Sequence, residues 1–315
     1  MSASPETVAI IGAGTIGASW AALFLANGMN VQIYDLSENT RHTVHTFLTR
    51  AWPALRDLVS DAPEAPPIER AMFFDSPEEA VSGASFIQES TPEVLDQKHH
   101  VLSRIEQAMD PLAVVASSAS GLTLSQMQQG MRHPGRLVLG HPFNPPHLIP
   151  LVELYANERT DPDALLLAQA LYIPCGKTPI TLKREVPGHV ANRLQAALWR
   201  EAVHLVVSGV ASLEDVDKAV SAGPGLRWAT AGPSMIFNLG AGHAGIGTFC
   251  ERFGSSFHRW WDDLGDPRLD QVTVTALSAG LAQAAKGNSI ADLEASRDRR
   301  LIALMKVLDG RYVLG

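Results

Sequence analysis

The feature that most constrains this chain is a glycine-rich turn set between an apolar strand and a helix near its start. Residues 8–11 form an apolar, β-branched run that predicts a buried strand, and GAGTIG follows at once as residues 12–17. The next segment has apolar residues at helical spacing and ends at Gly28, and a second apolar run, 31–34, leads to Asp35. A strand, a G-x-G-x-x-G turn, a helix, a strand and an acid within roughly thirty residues predict a βαβ unit.

The glycines of this turn have separate physical roles, and together they indicate a dinucleotide. Gly12 permits the tight turn, Gly14 lets the backbone approach a pyrophosphate, and Gly17 lets the helix pack closely against the strand. The helix start offers unpaired N–H groups to the phosphates, and Asp35 would accept the ribose hydroxyls and repel a 2′-phosphate. The pattern therefore predicts NAD as the cofactor. The contacts predicted from this unit are Gly12, Gly14, Thr15, Ile16, Gly17 and Asp35.

The rest of the chain divides into two regions of different character. Short apolar strands alternate with helices in the first region, which predicts an α/β fold with a Rossmann-type, doubly wound, mostly parallel sheet. After the KREVPG segment the sequence becomes long and helical. We expect an NAD-binding Rossmann domain over residues 1–185 and an all-helical C-terminal domain over residues 186–315.

Composition narrows the class of protein further. The chain has 25 Lys and Arg against 33 Asp and Glu, a net charge of −8, which argues against a nucleic-acid partner. We find no apolar stretch of the roughly 18 residues that a membrane helix needs, and no signal-peptide pattern at the start. Cys175 and Cys250 have no zinc-ligand spacing, so we expect no metal and a cytoplasmic location.

A second motif carries the chemistry. HPFNPP begins at His141, and Glu153, the acid of LVEL, follows it at a distance of twelve residues. With the G-x-x-x-N-R-L pattern at residues 188–194, this order of motifs resembles the 3-hydroxyacyl-CoA dehydrogenase family. The resemblance extends from the glycine-rich turn to about residue 235.

The resemblance implies a set of catalytic residues. His141 would be the general base, Glu153 the carboxylate that orients it, and Ser120 and Asn192 the donors to the reacting oxygen. Oxidation of a secondary alcohol requires a base near the hydroxyl proton, and histidine titrates near neutrality. The alternative is a structural histidine in a proline-rich turn.

The same resemblance implies further contacts with the cofactor. Glu93 and Lys98 would lie beside its ribose and nicotinamide side, Asn144 beside the nicotinamide, and Ser120 close to both cofactor and substrate. Glu93 and Lys98 could also be ordinary charges at a helix start and on the surface.

Departures from the fatty-acyl enzymes bear on the substrate. Residues 50–70 contain four acidic residues and no lysine, which is a poor match for the phosphates of coenzyme A. GPGLRW, residues 223–228, resembles the branch that contains L-gulonate 3-dehydrogenase (λ-crystallin) and L-carnitine dehydrogenase, enzymes of small free 3-hydroxy acids. Arg227 is the candidate for the substrate carboxylate, or else part of an interdomain or dimer salt bridge. Trp228 could face a quaternary ammonium, or simply belong to the core.

These observations predict an NAD-dependent enzyme that oxidises the 3-hydroxyl of a small free acid, with an L-gulonate-like acid as the first expectation. L-Carnitine and 3-hydroxybutyryl-CoA stay open as substrates. A crystallin-like structural protein that has kept the fold is the non-enzymatic alternative. The resemblance also implies a homodimer built through the helical domain.

Overall fold

The computed structural model describes residues 6–308; residues 1–5 and 309–315 of the two expected domains lie outside that range. The described chain forms two compact units. Residues 6–190 together with 301–306 form one unit, and residues 191–300 form the other. The boundary expected at 185/186 lies a few residues before the division at 190/191.

The first unit is built on one eight-stranded sheet with the order β3-β2-β1-β4-β5-β6-β7-β8. Every neighbouring pair is parallel except β6 and β7, so the prediction of a mostly parallel, doubly wound sheet is confirmed. The strand order reverses at β1, whose neighbours are β2 and β4. Ligands of such sheets bind at the carboxyl ends of the strands beside this reversal. The strands are β1 (Thr7–Ile11), β2 (Asn30–Tyr34), β3 (Ala71–Phe73), β4 (Phe86–Glu89), β5 (Val114–Ser117), β6 (Leu137–Pro142), β7 (Leu151–Tyr155) and β8 (Thr178–Thr181).

Helices cover the two faces of this sheet because its central strands, such as β1, are apolar on both sides. In β1, Val8 and Ile10 pack into one core cluster with α1, α2 and α6, whereas Ala9 and Ile11 pack into a second cluster with α3 and α4. This alternation follows from the two-residue period of a strand. The helices of this unit are α1 (Thr15–Ala26), α2 (Thr40–Leu58), α3 (Pro77–Val81), α4 (Leu95–Ala108), α5 (Leu124–Met127) and α6 (Pro162–Tyr172).

The described part of the second unit contains helices and no strand, which agrees with the predicted helical domain. Few of its side chains are buried, whereas many large apolar ones are exposed, Trp260 by 58% and Trp261 by 62%. Its helices are α7 (Ala191–Val207), α8 (Leu213–Ala222), α9 (Pro224–Trp228), α10 (Pro233–Gly240), α11 (Gly245–Asp263), α12 (Gln271–Ala285) and α13 (Ile290–Leu308), which continues beyond this unit. Within residues 6–308, no helix has the length and apolar character to cross a membrane.

Candidate active site

The glycine-rich turn after β1 has the geometry that its sequence predicts. Gly12 has a φ of +90°, and a Cβ there would lie 2.7 Å from the backbone of Ser90. A Cβ on Gly17 would lie 1.8 Å from the carbonyl oxygen of Gly12, so only glycine lets α1 approach the strand this closely. A Cβ on Gly14 would meet nothing within 4 Å, which leaves an open approach to the backbone. These are the three conditions that a pyrophosphate-binding turn requires.

The start of α1 is suited to hold an anionic cofactor. Gly14 is its N-cap and makes no side-chain capping bond, so the first N–H groups of the helix, including those of Thr15 and Ile16, have no intrahelical partner. Asp35 follows β2 and accepts hydrogen bonds from the N–H groups of Ala13, at 2.6 Å, and Ser37, at 2.9 Å. Its carboxylate thus lies beside the turn, where an acid can meet a ribose. The residues present fit NAD.

His141 and Glu153 lie on adjacent strands and form a buried pair. The antiparallel register of β6 and β7 sets them directly opposite each other. The Nδ1–H of His141 donates to Oε2 of Glu153 over 2.8 Å, and the carboxylate is fully buried. Because the carboxylate engages Nδ1, the lone pair lies on Nε2, which leaves that nitrogen to accept a proton. The predicted base and its predicted orienting acid are therefore brought together.

The second oxygen of Glu153 connects this pair to the end of the first unit. Oε1 accepts a hydrogen bond from the backbone N–H of Val190 at 2.8 Å. Both carboxylate oxygens are thus engaged, which restrains the carboxylate to one orientation. A fixed carboxylate holds the imidazole ring of His141 in one orientation as well.

Ser120 and Glu93 meet in the turn that follows β5. Oε2 of Glu93 accepts hydrogen bonds from the N–H of Ser120 at 3.1 Å and from its Oγ at 3.3 Å. Oε1 accepts from the N–H groups of Gly121 and Leu122. Burial raises the pKa of Glu93, but these backbone donors and Lys98 outweigh it, so the pKa is lowered overall. Glu93 therefore fixes the backbone that presents Ser120, a role that the sequence did not predict.

Lys98 is buried. The interpretation of this residue as an ordinary surface charge is therefore wrong. Lys98 is 1% exposed on α4, and its ammonium donates to both carboxylate oxygens of Glu89 at 2.8 and 2.9 Å. Lys98 also donates to the carbonyl of Thr91, and the Ser117 hydroxyl donates to Glu89. The pair ties the start of α4 to the carboxyl ends of β4 and β5. A direct contact of Lys98 with NAD stays a prediction.

The loop between β6 and β7, residues 143–150, carries Asn144 and is fixed at several points. The hydroxyl of Ser19 on α1 accepts a hydrogen bond from the backbone N–H of His147 and lies 2.8 Å from its Nδ1. The ammonium of Lys177 donates to the carbonyls of Pro146 and Ile149, each at 2.6 Å. The loop is thereby tied to the helix that follows the glycine-rich turn. The predicted contact of Asn144 with the nicotinamide stays a prediction.

A second buried histidine, which the sequence did not reveal, lies beside His141, the predicted base. The ring of His189 is 4.9 Å from that of His141, centroid to centroid, and its Nε2–H donates to the carbonyl of Ala119 at 3.0 Å. The sequence signal was its place inside the 188–194 motif, three residues before Asn192. A histidine beside a motif has no pattern of its own, so only its position in the fold reveals it.

The remaining candidates lie in the second unit. Asn192 is the second residue of α7, and Arg227 and Trp228 end the short helix α9. Arg227 is exposed, and no carboxylate pairs with it within residues 6–308. Trp228 has a buried indole Nε1 that finds no hydrogen-bond partner among the described residues. The substrate contacts expected of these residues stay predictions.

Comparison with known proteins gives a consistent result. Residues 7–186 match the family model described as 3-hydroxyacyl-CoA dehydrogenase, NAD binding domain, and residues 188–283 match its C-terminal domain. An L-carnitine dehydrogenase of Streptomyces coelicolor is 44% identical over 96% of each chain. One from Pseudomonas sp is 39% identical over 96% of this chain and 94% of its own.

A solved structure agrees with these sequence comparisons. The NAD+-dependent dismutase 5-formyl-3-hydroxy-2-methylpyridine 4-carboxylic acid 5-dehydrogenase aligns with a TM-score of 0.82 and 32% identity, over 98% of this chain and 100% of that one. The chain therefore belongs to the 3-hydroxyacyl-CoA dehydrogenase family and is an NAD-dependent dehydrogenase.

Proposed function

We propose that this enzyme oxidises the 3-hydroxyl of L-carnitine, a small free 3-hydroxy acid that carries a trimethylammonium group, to the 3-oxo acid. The observation that carries the chemistry is the buried pair of His141 and Glu153, with Nδ1 and Oε2 2.8 Å apart. Support for the substrate is the similarity to proteins named L-carnitine dehydrogenase, 38–45% identical along 95–98% of this chain.

The residues of the chain then act as follows. Nε2 of His141 accepts the hydroxyl proton of the substrate, and the imidazolium so formed is stabilised by Glu153. NAD, when bound, supplies the hydride acceptor. Ser120 and Asn192 donate hydrogen bonds to the substrate oxygen as it changes from hydroxyl to carbonyl.

Arg227 and Trp228 are the residues we propose for substrate recognition. An exposed guanidinium without a carboxylate partner in the described chain is free to bind the substrate carboxylate in a bidentate manner. The aromatic face of Trp228 offers a cation–π surface for the trimethylammonium group. L-Gulonate has no cation for such a surface, so we propose it second to L-carnitine.

A coenzyme A thioester is the least favoured substrate. Within the acidic segment that follows α2, Arg70 already donates to the carbonyl of Gly28 at 2.6 Å. A phosphate there would also face Asp61, Glu64 and Glu69. Charge repulsion therefore opposes binding of the phosphoadenosine group.

We also propose a domain assignment, an assembly and a location. Residues 1–185 bind NAD, and residues 186–315 contribute to substrate binding and form a homodimer. The exposed apolar side chains of the second unit, Trp260 and Trp261 among them, support this assembly because monomers rarely expose large apolar patches. The location is cytoplasmic, and we expect no nucleic-acid or membrane partner.

A substrate panel tests the proposal. NADH formation is followed with L-carnitine, L-gulonate, 3-hydroxybutyrate and 3-hydroxybutyryl-CoA under identical conditions. We expect L-carnitine to give the highest kcat/KM, by at least about ten-fold. A higher kcat/KM with L-gulonate would restore the gulonate-like assignment, and one with the thioester would contradict the free-acid proposal. Binding of NAD without turnover of any member would favour a crystallin-like protein.

A further inference from the structure

His189, the second histidine of the site, has a backbone conformation that costs free energy. His189 is buried and has a φ of +49°, in the left-handed region that non-glycine residues seldom adopt. Its neighbour Val190 donates to Glu153, and its own backbone N–H donates to the carbonyl of Val186. These bonds hold the strained residue in place, with its ring against the base.

The contacts of His189 join two parts of the site. The ring lies 4.9 Å from His141 at an interplanar angle of 54°. A carbonyl can only accept, so the 3.0 Å bond to Ala119 requires the proton of neutral His189 to be on Nε2. Ala119 directly precedes Ser120, the donor proposed for the substrate oxygen. One side chain thus touches both the base and the turn that carries this donor.

The charged groups around His189 define what its protonation would do. His141 faces it from β6, Glu153 from β7 and Glu93 from the loop before α4. Burial lowers the pKa of His189, and the charge of His141 lowers it further, while the bond to Ala119 and the two carboxylates raise it. Lowered overall, this pKa keeps His189 neutral near pH 7.

We propose that His189 is a positioning residue for the base. In its neutral form it holds the ring of His141 and the Ser120 turn together. In its protonated form it opposes the proton transfer to His141. Oxidation of the hydroxyl places a positive charge on His141. A second positive charge on the adjacent ring destabilises that state. The enzyme therefore needs both histidines neutral in order to oxidise its substrate. This inference rests on the proposed function for its kinetic consequence.

Two measurements test it, and the first does not depend on turnover. Imidazole NMR titration of the apoprotein follows His189 in the wild type, in His141→Asn and in the surface control His100→Asn, with the His189 signals assigned from His189→Asn. Removing the imidazole of His141 should raise the titration midpoint of His189 by roughly one pH unit, because His141 lowers the pKa of His189 electrostatically. His100→Asn should leave the midpoint where it is.

The second measurement is the pH profile of kcat/KM for oxidation. His189→Asn suits this test because asparagine tolerates a positive φ. In a plot of log kcat/KM against pH, we expect the limiting slope of the acidic limb to be lower by one in His189→Asn than in the wild type. Near neutral pH, the kcat of the variant should fall roughly ten-fold, and its KM should change by less than about two-fold. An unmoved midpoint in His141→Asn, or an unchanged slope in His189→Asn, overturns the proposal. If the wild type is inactive on every substrate of the panel, the proposed function is wrong. The NMR titration still tests the role of His189 in that case.

Discussion

At the scale of single residues, the site depends on how Glu153 is held. Its two carboxylate oxygens accept from His141 and from the backbone of Val190, so the carboxylate cannot rotate without losing a bond. An amide at this position could retain the acceptor oxygen but not the negative charge that stabilises an imidazolium. The proposed base therefore requires the charge of Glu153 as well as its shape.

Glu153→Gln should reduce kcat for hydroxy-acid oxidation by at least about 100-fold and change the NAD dissociation constant by less than about two-fold. Steady-state kinetics measures kcat, and calorimetric titration measures the dissociation constant of NAD. The matched control is Glu158→Gln, which removes an exposed carboxylate shortly after β7 and should leave both values unchanged. A Glu153→Gln enzyme with wild-type kcat would show that the carboxylate has no part in the proton transfer.

The residues differ in how far the sequence could reveal them. Gly12, Gly14 and Gly17 were predictable because each answers a local demand of the backbone. The burial of Lys98 was not, because its partner Glu89 is in the preceding strand and a charge at a helix start usually faces water. His189 needed the fold as well, since its contacts with Ala119 and His141 join residues 70 and 48 positions away.

At the scale of elements, the turn between β1 and α1 separates two roles of glycine. The space beside Gly14 is open, whereas the space beside Gly17 is filled by the carbonyl of Gly12.

We expect Gly14→Ala to fold with an unchanged Tm but to bind NAD about ten-fold more weakly, because the methyl group blocks the approach of the phosphates. Gly17→Ala should lower the Tm, because α1 must move away from the strand. Thermal unfolding measures the Tm, and calorimetric titration measures NAD binding. Equal Tm values for both variants would contradict this account of the turn.

The loop between β6 and β7 provides a pH-dependent test. Burial lowers the pKa of Lys177 from 10.5 to about 7. The unfolded chain therefore keeps this proton above pH 7 while the folded chain releases it, so the free energy of unfolding rises with pH in this window. Cys175, whose pKa burial raises to about 12, opposes this trend only near pH 9 and above.

Urea unfolding of the wild type and Lys177→Met measures the effect. Between about pH 7 and 8.5 the free energy of unfolding of the wild type should increase by roughly 1–2 kcal/mol relative to the variant. Parallel pH dependences in the two proteins would show that Lys177 stays protonated in the fold.

The elements also show what a sequence pattern can and cannot predict. Ser289 and Asp292, three residues apart at the start of α13, have the spacing of a helix-capping pair, and the N–H of Asp292 donates to Oγ of Ser289 at 3.2 Å. The antiparallel pairing of β6 with β7 follows from their short connection, residues 143–150, because a parallel crossover needs about a dozen residues or more. The sequence motifs predicted that His141 and Glu153 act together. The register of β6 against β7 explains why the two side chains meet.

At the scale of the whole molecule, the helical unit exposes many large apolar side chains. On α11, Phe257 contacts both Trp260 and Trp261, and both tryptophans are more than half exposed. Such a surface is stabilised when a second copy covers it. This is the physical basis for the proposed homodimer.

Trp260→Asp combined with Trp261→Asp should convert the dimer to a monomer in sedimentation velocity at micromolar protein concentration. Leu112→Asp, at a position 75% exposed in the first unit, is the matched control and should leave the dimer intact. A wild type that sediments as a monomer would contradict the proposed assembly.

The central claim is that His141 is the base of an enzyme that oxidises a small free 3-hydroxy acid. Its most direct test is NADH formation from L-carnitine by the wild type and by His141→Ala, with NAD binding measured on the same samples. The account predicts that His141→Ala binds NAD as the wild type does and loses at least about 1,000-fold in kcat. Turnover within ten-fold of the wild type in a variant that still binds NAD would contradict it.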